Sequence, residues 1–148
     1  MIRTLEAWLA AGSLALFGVA VAVGGAVAGT EEPEEVFTFT DPEIVESSGL
    51  VVEDGLFVTV NDSGDTNRVF TVDPATGDTV GVTRWAGEAV DIEALAPAGR
   101  GHVWVGDTGD NLAARDSLTV TRVPVGTGDR DVAGESYELS YPDGAHDA

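Results

Sequence analysis

Two short polar loops carry side chains whose oxygen atoms could bind a cation. They read Asn61-Asp62-Ser63-Gly64-Asp65 and Gly106-Asp107-Thr108-Gly109-Asp110-Asn111. Hard cations such as Ca²⁺ prefer oxygen ligands, including the backbone carbonyls that such loops expose. The alternative is that Asp, Asn and Gly only form turns between strands, because their conformational preferences suit that role. No EF-hand loop with its central glycine and closing Glu is present. The candidate metal ligands of the loops are Asp62, Asp65, Asp107, Asp110 and Asn111.

A pair of carboxylates precedes the second loop. Asp91 and Glu93 are two positions apart in Asp91-Ile92-Glu93-Ala94-Leu95, so in a strand both side chains point to the same side. Such a pair could bind a metal ion, or one carboxyl with a raised pKa could act as general acid or base. The alternative is a solvated strand end or a structural hydrogen bond. Glu46 and Ser48 occupy the positions 45 residues earlier (91 − 46 and 93 − 48), so the pair is not repeated.

Other chemistry-bearing residues form no motif that specifies a reaction. The two histidines, His102 and His146, have no partner that the sequence identifies. Ser47-Ser48-Gly49 does not form the elbow of a serine hydrolase. Trp85 and Trp104 are expected in the core. No P-loop lysine follows the glycines.

The loops belong to a repeat of short strands. Leu50 to Leu95 and Asp62 to Asp107 both span 45 positions (95 − 50 and 107 − 62), which is the length of a β-propeller blade. We therefore predict an all-β fold of two four-stranded antiparallel sheets, with blades at about 49–85 and 91–141 and the start of a third at 147. Val36-Phe37-Thr38-Phe39-Thr40 alternates and predicts one more strand. The predicted blade strands are 49–52, 56–60, 68–73, 79–85, 91–96, 102–106, 117–123 and 136–141.

Composition limits the partners. The 148-residue chain has 26 acidic residues, 7 arginines and no lysine, for a formal net charge of −19. Such a surface repels nucleic acid and anionic lipid, because no basic patch offsets the phosphates. The absence of cysteine excludes disulfides and thiolate sites.

The N-terminal region reads as a targeting segment. Residues 1–30 contain an uncharged apolar run after Arg3 and a small-x-small site at Ala26-Val27-Ala28, which fits either a cleaved signal peptide or a membrane anchor. Both place residues 31–148 outside the cell. An acidic linker at 31–35 precedes the partial propeller at 36–148, and the anchor would give contact with the membrane.

Five motifs together resemble exported bacterial β-propeller repeat proteins. They are the two Gly-Asp loops, Ile44–Leu50, Asp91–Leu95 and Tyr141-Pro142-Asp143-Gly144. In outline these proteins are similar to phytase-like and lactonase-like propellers. The resemblance implies a secreted or tethered module that binds an unknown extracellular protein or small ligand, with Ca²⁺ as the candidate ion. A metal-dependent hydrolase is the alternative. Two blades do not close a ring, so we expect a fragment, a truncated product or a piece that assembles with other copies.

Overall fold

The fold of the described residues is all-β. A computed structural model describes residues 34–62 and 64–147, and within these ranges no helix is long and apolar enough to cross a membrane. The predicted signal peptide or anchor, and residues 31–33 of the predicted linker, lie outside them. The strands are β1 (Ser47–Glu53), β2 (Leu56–Asn61), β3 (Arg68–Val72), β4 (Thr79–Trp85), β5 (Ile92–Pro97), β6 (His102–Asp107), β7 (Leu118–Pro124), β8 (Arg130–Val132) and β9 (Glu135–Leu139).

The first sheet, called sheet one below, has the order β1-β2-β3-β4-β8. Its first four strands form an antiparallel meander, in which each strand pairs with the next one along the chain. Asp54 and Gly55 both have positive φ, at 50° and 79°, which matches the two-residue hairpin turn that follows the right-handed twist of the strands. The prediction of four strands is wrong for this sheet, since β8 adds a fifth.

The fifth strand pairs with β4 in parallel, so the prediction of purely antiparallel pairing is also wrong. Thr83 lies opposite Arg130 and Trp85 opposite Val132. Asp129, just before β8, accepts a hydrogen bond at 3.0 Å from the backbone N–H of Val82. The segment between β7 and β9 therefore crosses to the edge of sheet one.

The second sheet, called sheet two, has the order β5-β6-β7-β9 and is antiparallel throughout. Its four strands match the prediction in number and pairing. The 45-residue spacing also holds in detail in the first strand of each sheet. β1 has a register shift between Ser47 and Gly49, and β5 has one between Ile92 and Ala94, each 45 positions on.

The main core lies between the two sheets. Buried apolar side chains from both sheets form one cluster, which Leu95 joins from the side. β-Branched side chains suit this packing because they pack well on a pleated surface. Gly49 permits the close approach of β1 to β5, since a β-carbon there would lie 3.1 Å from the Leu95 side chain. The buried members are Val51, Val58, Val60, Val69, Trp85, Ile92, Val103, Val105, Val123 and Val125.

The opposite face of sheet one is covered by the segment before β1. Phe37 and Phe39 pack with Phe57, and the Phe37 ring lies 5.2 Å from that of Phe39 and 5.0 Å from that of Phe57. The prediction of a strand over Val36–Thr40 is wrong, because these residues join no sheet. The Thr40 backbone N–H donates to the Gly77 carbonyl at 3.0 Å, and the alternating phenylalanines serve to cover the sheet.

Candidate functional site

Three carboxylates meet where the two sheets adjoin. Asp62, Asp91 and Glu93 each offer one oxygen, and these oxygens lie within 4.8 Å of one another. Asp62 follows β2 of sheet one, whereas Asp91 and Glu93 stand at the start of β5 of sheet two. The cluster thus combines one predicted ligand from the first loop with the predicted carboxylate pair. We call these three residues the acidic triad.

Asp62 is positioned by the end of β2. Its backbone N–H donates to the Glu46 carbonyl at 2.9 Å. The preceding residue, Asn61, is buried, and its Oδ1 accepts the backbone N–H groups of Val45 and Glu46 at 3.1 and 3.3 Å. The chain leaving β2 is therefore fixed to the segment that enters β1.

Asp91 is positioned by the second loop. Its backbone N–H donates to Asp107 Oδ1 at 2.9 Å, and its Oδ2 accepts from Asn111 Nδ2 at 3.1 Å. The Gly109 N–H donates to the Asp91 carbonyl at 3.1 Å. A β-carbon at Gly109 would lie 2.4 Å from Asp91 Cγ, so only glycine allows this approach.

One carboxylate oxygen of the triad is buried. Asp91 is 6% exposed, and its Oδ1 receives no hydrogen bond from the described residues. Buried carboxylate oxygens normally accept hydrogen bonds or bind cations, because leaving them unsatisfied costs free energy. The atom needs a proton or a cation nearby.

The pKa shifts in the triad also indicate that a proton or a cation is required there. Burial raises the pKa of the Asp91 and Glu93 carboxyls, and the charge of Asp62 raises both pKa values further. Asp147 adds a fourth negative charge in the vicinity, and its Oδ1 accepts the Asp110 N–H at 2.8 Å. Clustered carboxylates favour a protonated or cation-bound state. Asp147 was not among the predicted ligands, because its approach depends on the return of the chain after β9.

The other predicted ligands have structural partners. Asp107 accepts the N–H of Val90 at 3.0 Å and pairs with Arg115 at 2.8 Å. Asp110 accepts the N–H groups of Ala114 and Arg115 at 2.9 and 2.7 Å, and Asn111 holds Asp91 as described. These residues brace the loop around the triad.

Asp65 plays a comparable role in the first loop. Both of its oxygens lie 2.9 Å from Arg68 Nε, and it also accepts from Asn61 Nδ2 at 2.7 Å. These bonds to Arg68, the backbone and Asn61 lower the pKa of Asp65 although burial, the largest single effect, acts to raise it. The carboxylate therefore stays charged in an ion pair.

The two histidines, Trp85 and Trp104 have other neighbours. His102 Nδ1 lies 2.9 Å from the Arg100 carbonyl, and His146 Nε2 lies 3.1 Å from Asp143 Oδ1. Trp85 belongs to the buried core as expected, whereas Trp104 lies on the outer face of sheet two, 5.8 Å from the Tyr137 ring.

Comparison with known proteins adds no functional assignment. No family model, no curated protein and no solved structure matches this chain. The resemblance to exported propeller proteins stays a prediction.

Proposed function

We propose that this protein is a binding module of two propeller-type blades that holds one Ca²⁺ ion at the acidic triad. The observation that carries the proposal is the buried Asp91 Oδ1, which has no donor among the described residues, beside two further carboxylates. Ca²⁺ binds oxygens at about 2.3–2.6 Å. Two ligand atoms on one ion are thus at most about 5 Å apart, and the spacing in the triad satisfies this limit.

The donor set favours a hard cation. The triad offers only carboxylate oxygens, and the chain contains no cysteine. Such ligands suit Ca²⁺, Mg²⁺ and Mn²⁺ rather than soft metals. Ca²⁺ tolerates irregular geometry and accepts backbone carbonyls, whereas Mg²⁺ requires near-octahedral coordination. Asp62 and Asp91 lie next to strand ends and Glu93 lies within β5, and such an irregular ligand set favours Ca²⁺.

A bound ion would join the two sheets. Asp62 belongs to sheet one, and Asp91 and Glu93 belong to sheet two. The ion removes the mutual repulsion of the carboxylates in the folded state, so the folded state gains free energy by mass action. At a free concentration a hundredfold above the dissociation constant the gain is about 2.7 kcal/mol, which is roughly 10 °C in melting temperature for a domain of this size.

The test is thermal unfolding of the full chain with Ca²⁺, with Mg²⁺ and with a chelator. We expect Ca²⁺ to raise the melting temperature of the wild type. Asp91→Asn and Glu93→Gln should lose this response and should be more stable than the wild type in chelator, because each removes one repelling charge. Variants that merely damage the fold would be less stable in chelator.

The matched control is Glu46→Gln, at the exposed position 45 residues before Asp91. It should retain the full Ca²⁺ response. An equal response in wild type, Asp91→Asn and Glu93→Gln would contradict the site, and no response in any of them would contradict Ca²⁺ binding. The hydrolase stays an alternative prediction, to be examined with phosphate ester and lactone substrates once the ion is identified.

A further inference from the structure

The outer face of sheet two carries an exposed apolar patch. Ala96, Trp104, Val120, Tyr137 and Leu139 form its surface. Leu139 is 51% exposed and Tyr137 is 46% exposed. We call these five residues the outer patch. Exposed apolar patches of this kind mark interaction surfaces in soluble proteins.

The strand registers show what this face corresponds to in sheet one. Val51 pairs with Val58, and 45 positions after Val51 the residue Ala96 pairs with Trp104. Residues directly opposite each other on paired strands share a face. In sheet one that face is the one buried against sheet two.

The third and fourth strands extend the correspondence. Val58 pairs with Thr71 and Trp104 pairs with Arg122. Val69 lies two positions before Thr71 on β3, and Val120 lies two positions before Arg122 on β7. Val69 pairs with Thr83 of β4, and Val120 pairs with Tyr137 of β9. Two positions further along the fourth strand of each sheet, Trp85 of β4 corresponds to Leu139 of β9.

All the counterparts in sheet one are buried between the sheets. Val58 and Val69 are fully buried, Trp85 is 9% exposed, and Thr83 Oγ1 donates to the Pro124 carbonyl of sheet two at 2.8 Å. The outer patch thus repeats the surface on which sheet two is seated. It continues an existing interface by one more layer.

The edge of sheet two shows the same correspondence. β4 is the fourth strand of sheet one and pairs with β8, which comes from the chain segment that forms sheet two. β9 is the fourth strand of sheet two, and within residues 34–62 and 64–147 no strand pairs with its outer edge. An unpaired edge and an apolar face therefore adjoin at one place.

We infer that a third antiparallel β-sheet packs on the outer patch and pairs one short strand with β9, as sheet two and β8 do with sheet one. This inference does not depend on the cation. A second copy of the whole chain is a poorer occupant, since the surface complementary to the patch is buried between the sheets within each copy. Two copies with a formal charge of −19 would also repel each other.

The test supplies the complementary sheet from the chain itself. A tandem protein carries the full chain to residue 146, followed by a second copy of residues 91–148. Because the chain has no cysteine, Leu139→Cys in the first copy reports on the patch through its reaction with a maleimide. Leu112→Cys, at a residue that is 87% exposed and outside the patch, is the matched control.

We expect the labelling rate at Leu139→Cys to fall by at least about tenfold in the tandem protein, because a thiol between packed sheets reacts only through local opening. The rate at Leu112→Cys should be the same in single and tandem proteins. Circular dichroism of the tandem protein shows whether the added copy has gained β-structure, and equal labelling of Leu139→Cys in both proteins with that β-structure present overturns the inference. Protection in the single chain that is lost on dilution identifies a second copy as the occupant and also overturns it.

Discussion

At the residue scale, Asn61 and Asp107 play the same structural role in their sheets, although only Asp107 carries a charge. Each ends the second strand of its sheet and accepts two consecutive backbone N–H groups, of Val45 and Glu46 or of Val90 and Asp91. Alignment at 45 residues instead pairs Asp107 with Asp62. Counted between equivalent paired positions, the turn between β5 and β6 is one residue longer than the turn between β1 and β2. Asp107 is therefore structurally equivalent to Asn61, and Asp62 lies one position beyond the bracing residue, in the triad.

The identity of the triad was therefore predictable only in part. Asp91 and Glu93 are close in sequence, so their meeting follows from strand geometry. Asp62 joins them because sheet one packs on sheet two at a particular offset, and no local pattern specifies that offset. Asp107, Asp110 and Asn111 look like ligands in the sequence because turn-forming and cation-binding residues are the same types.

Asp110 provides a pH test of its bracing role. Hydrogen bonds from the backbone N–H groups of Ala114 and then Arg115 lower the pKa of Asp110 below the ordinary value of 3.8. A lowered pKa stabilises the folded state above pH 3.8, and this contribution is lost as pH falls through the folded-state pKa. Asp110→Asn should therefore lower the melting temperature at neutral pH, and the difference from wild type should shrink below about pH 4.

The measurement is thermal unfolding from neutral pH to the acid limit of reversibility, in chelator. Asp116→Asn is the control, since it removes the same charge at an exposed position of the same loop. A difference between Asp110→Asn and wild type that is constant with pH would show that the carboxylate charge does not brace the loop.

At the element scale, alternation identified strands well and failed where strands are short or where aromatic residues alternate outside a sheet. The eight predicted blade strands coincide with β1–β7 and β9 to within two residues at each end. β8 has three residues, two of them charged, and only the long-range pairing with β4 makes it a strand. Val36–Thr40 has the strand pattern, but its phenylalanines cover a face that would otherwise contact water.

Covering that face should contribute to stability. We expect Phe37→Ala to lower the free energy of unfolding, by less than the about 3–5 kcal/mol typical of a fully buried phenylalanine, because Phe37 is only partly buried. Val36→Ala, at a position that is 73% exposed, should change it by no more than about 0.5 kcal/mol. Urea unfolding of both variants measures the difference, and equal effects would show that the aromatic contacts do not hold the segment on the sheet.

At the scale of the whole molecule, the two sheets act as one core with two different outer faces. The outer face of sheet one is closed by residues before β1, whereas that of sheet two presents the outer patch. This asymmetry agrees with the inferred packing of a further sheet on the outer patch and not on the outer face of sheet one. The proposed export depends on residues 1–30, outside the described part, and stays a prediction.

The net charge of the chain predicts how salt changes its melting temperature. The formal charge of −19 gives the folded chain a self-repulsion that salt screens, because the Debye length falls from about 30 Å at about 0.01 M to about 3 Å at about 1 M. Salt also weakens ion pairs. The Arg84–Asp129 and Arg68–Glu43 pairs involve exposed carboxylates, and exposed pairs contribute at most about 1 kcal/mol. The Arg68–Asp65 and Arg115–Asp107 pairs are mostly buried, and salt screens such pairs much less. Repulsion should dominate, so the melting temperature in chelator should rise with sodium chloride. Tetramethylammonium chloride should act alike, since screening depends on ionic strength. A falling melting temperature would show that the ion pairs of Arg68 and Arg115 outweigh the repulsion among the carboxylates.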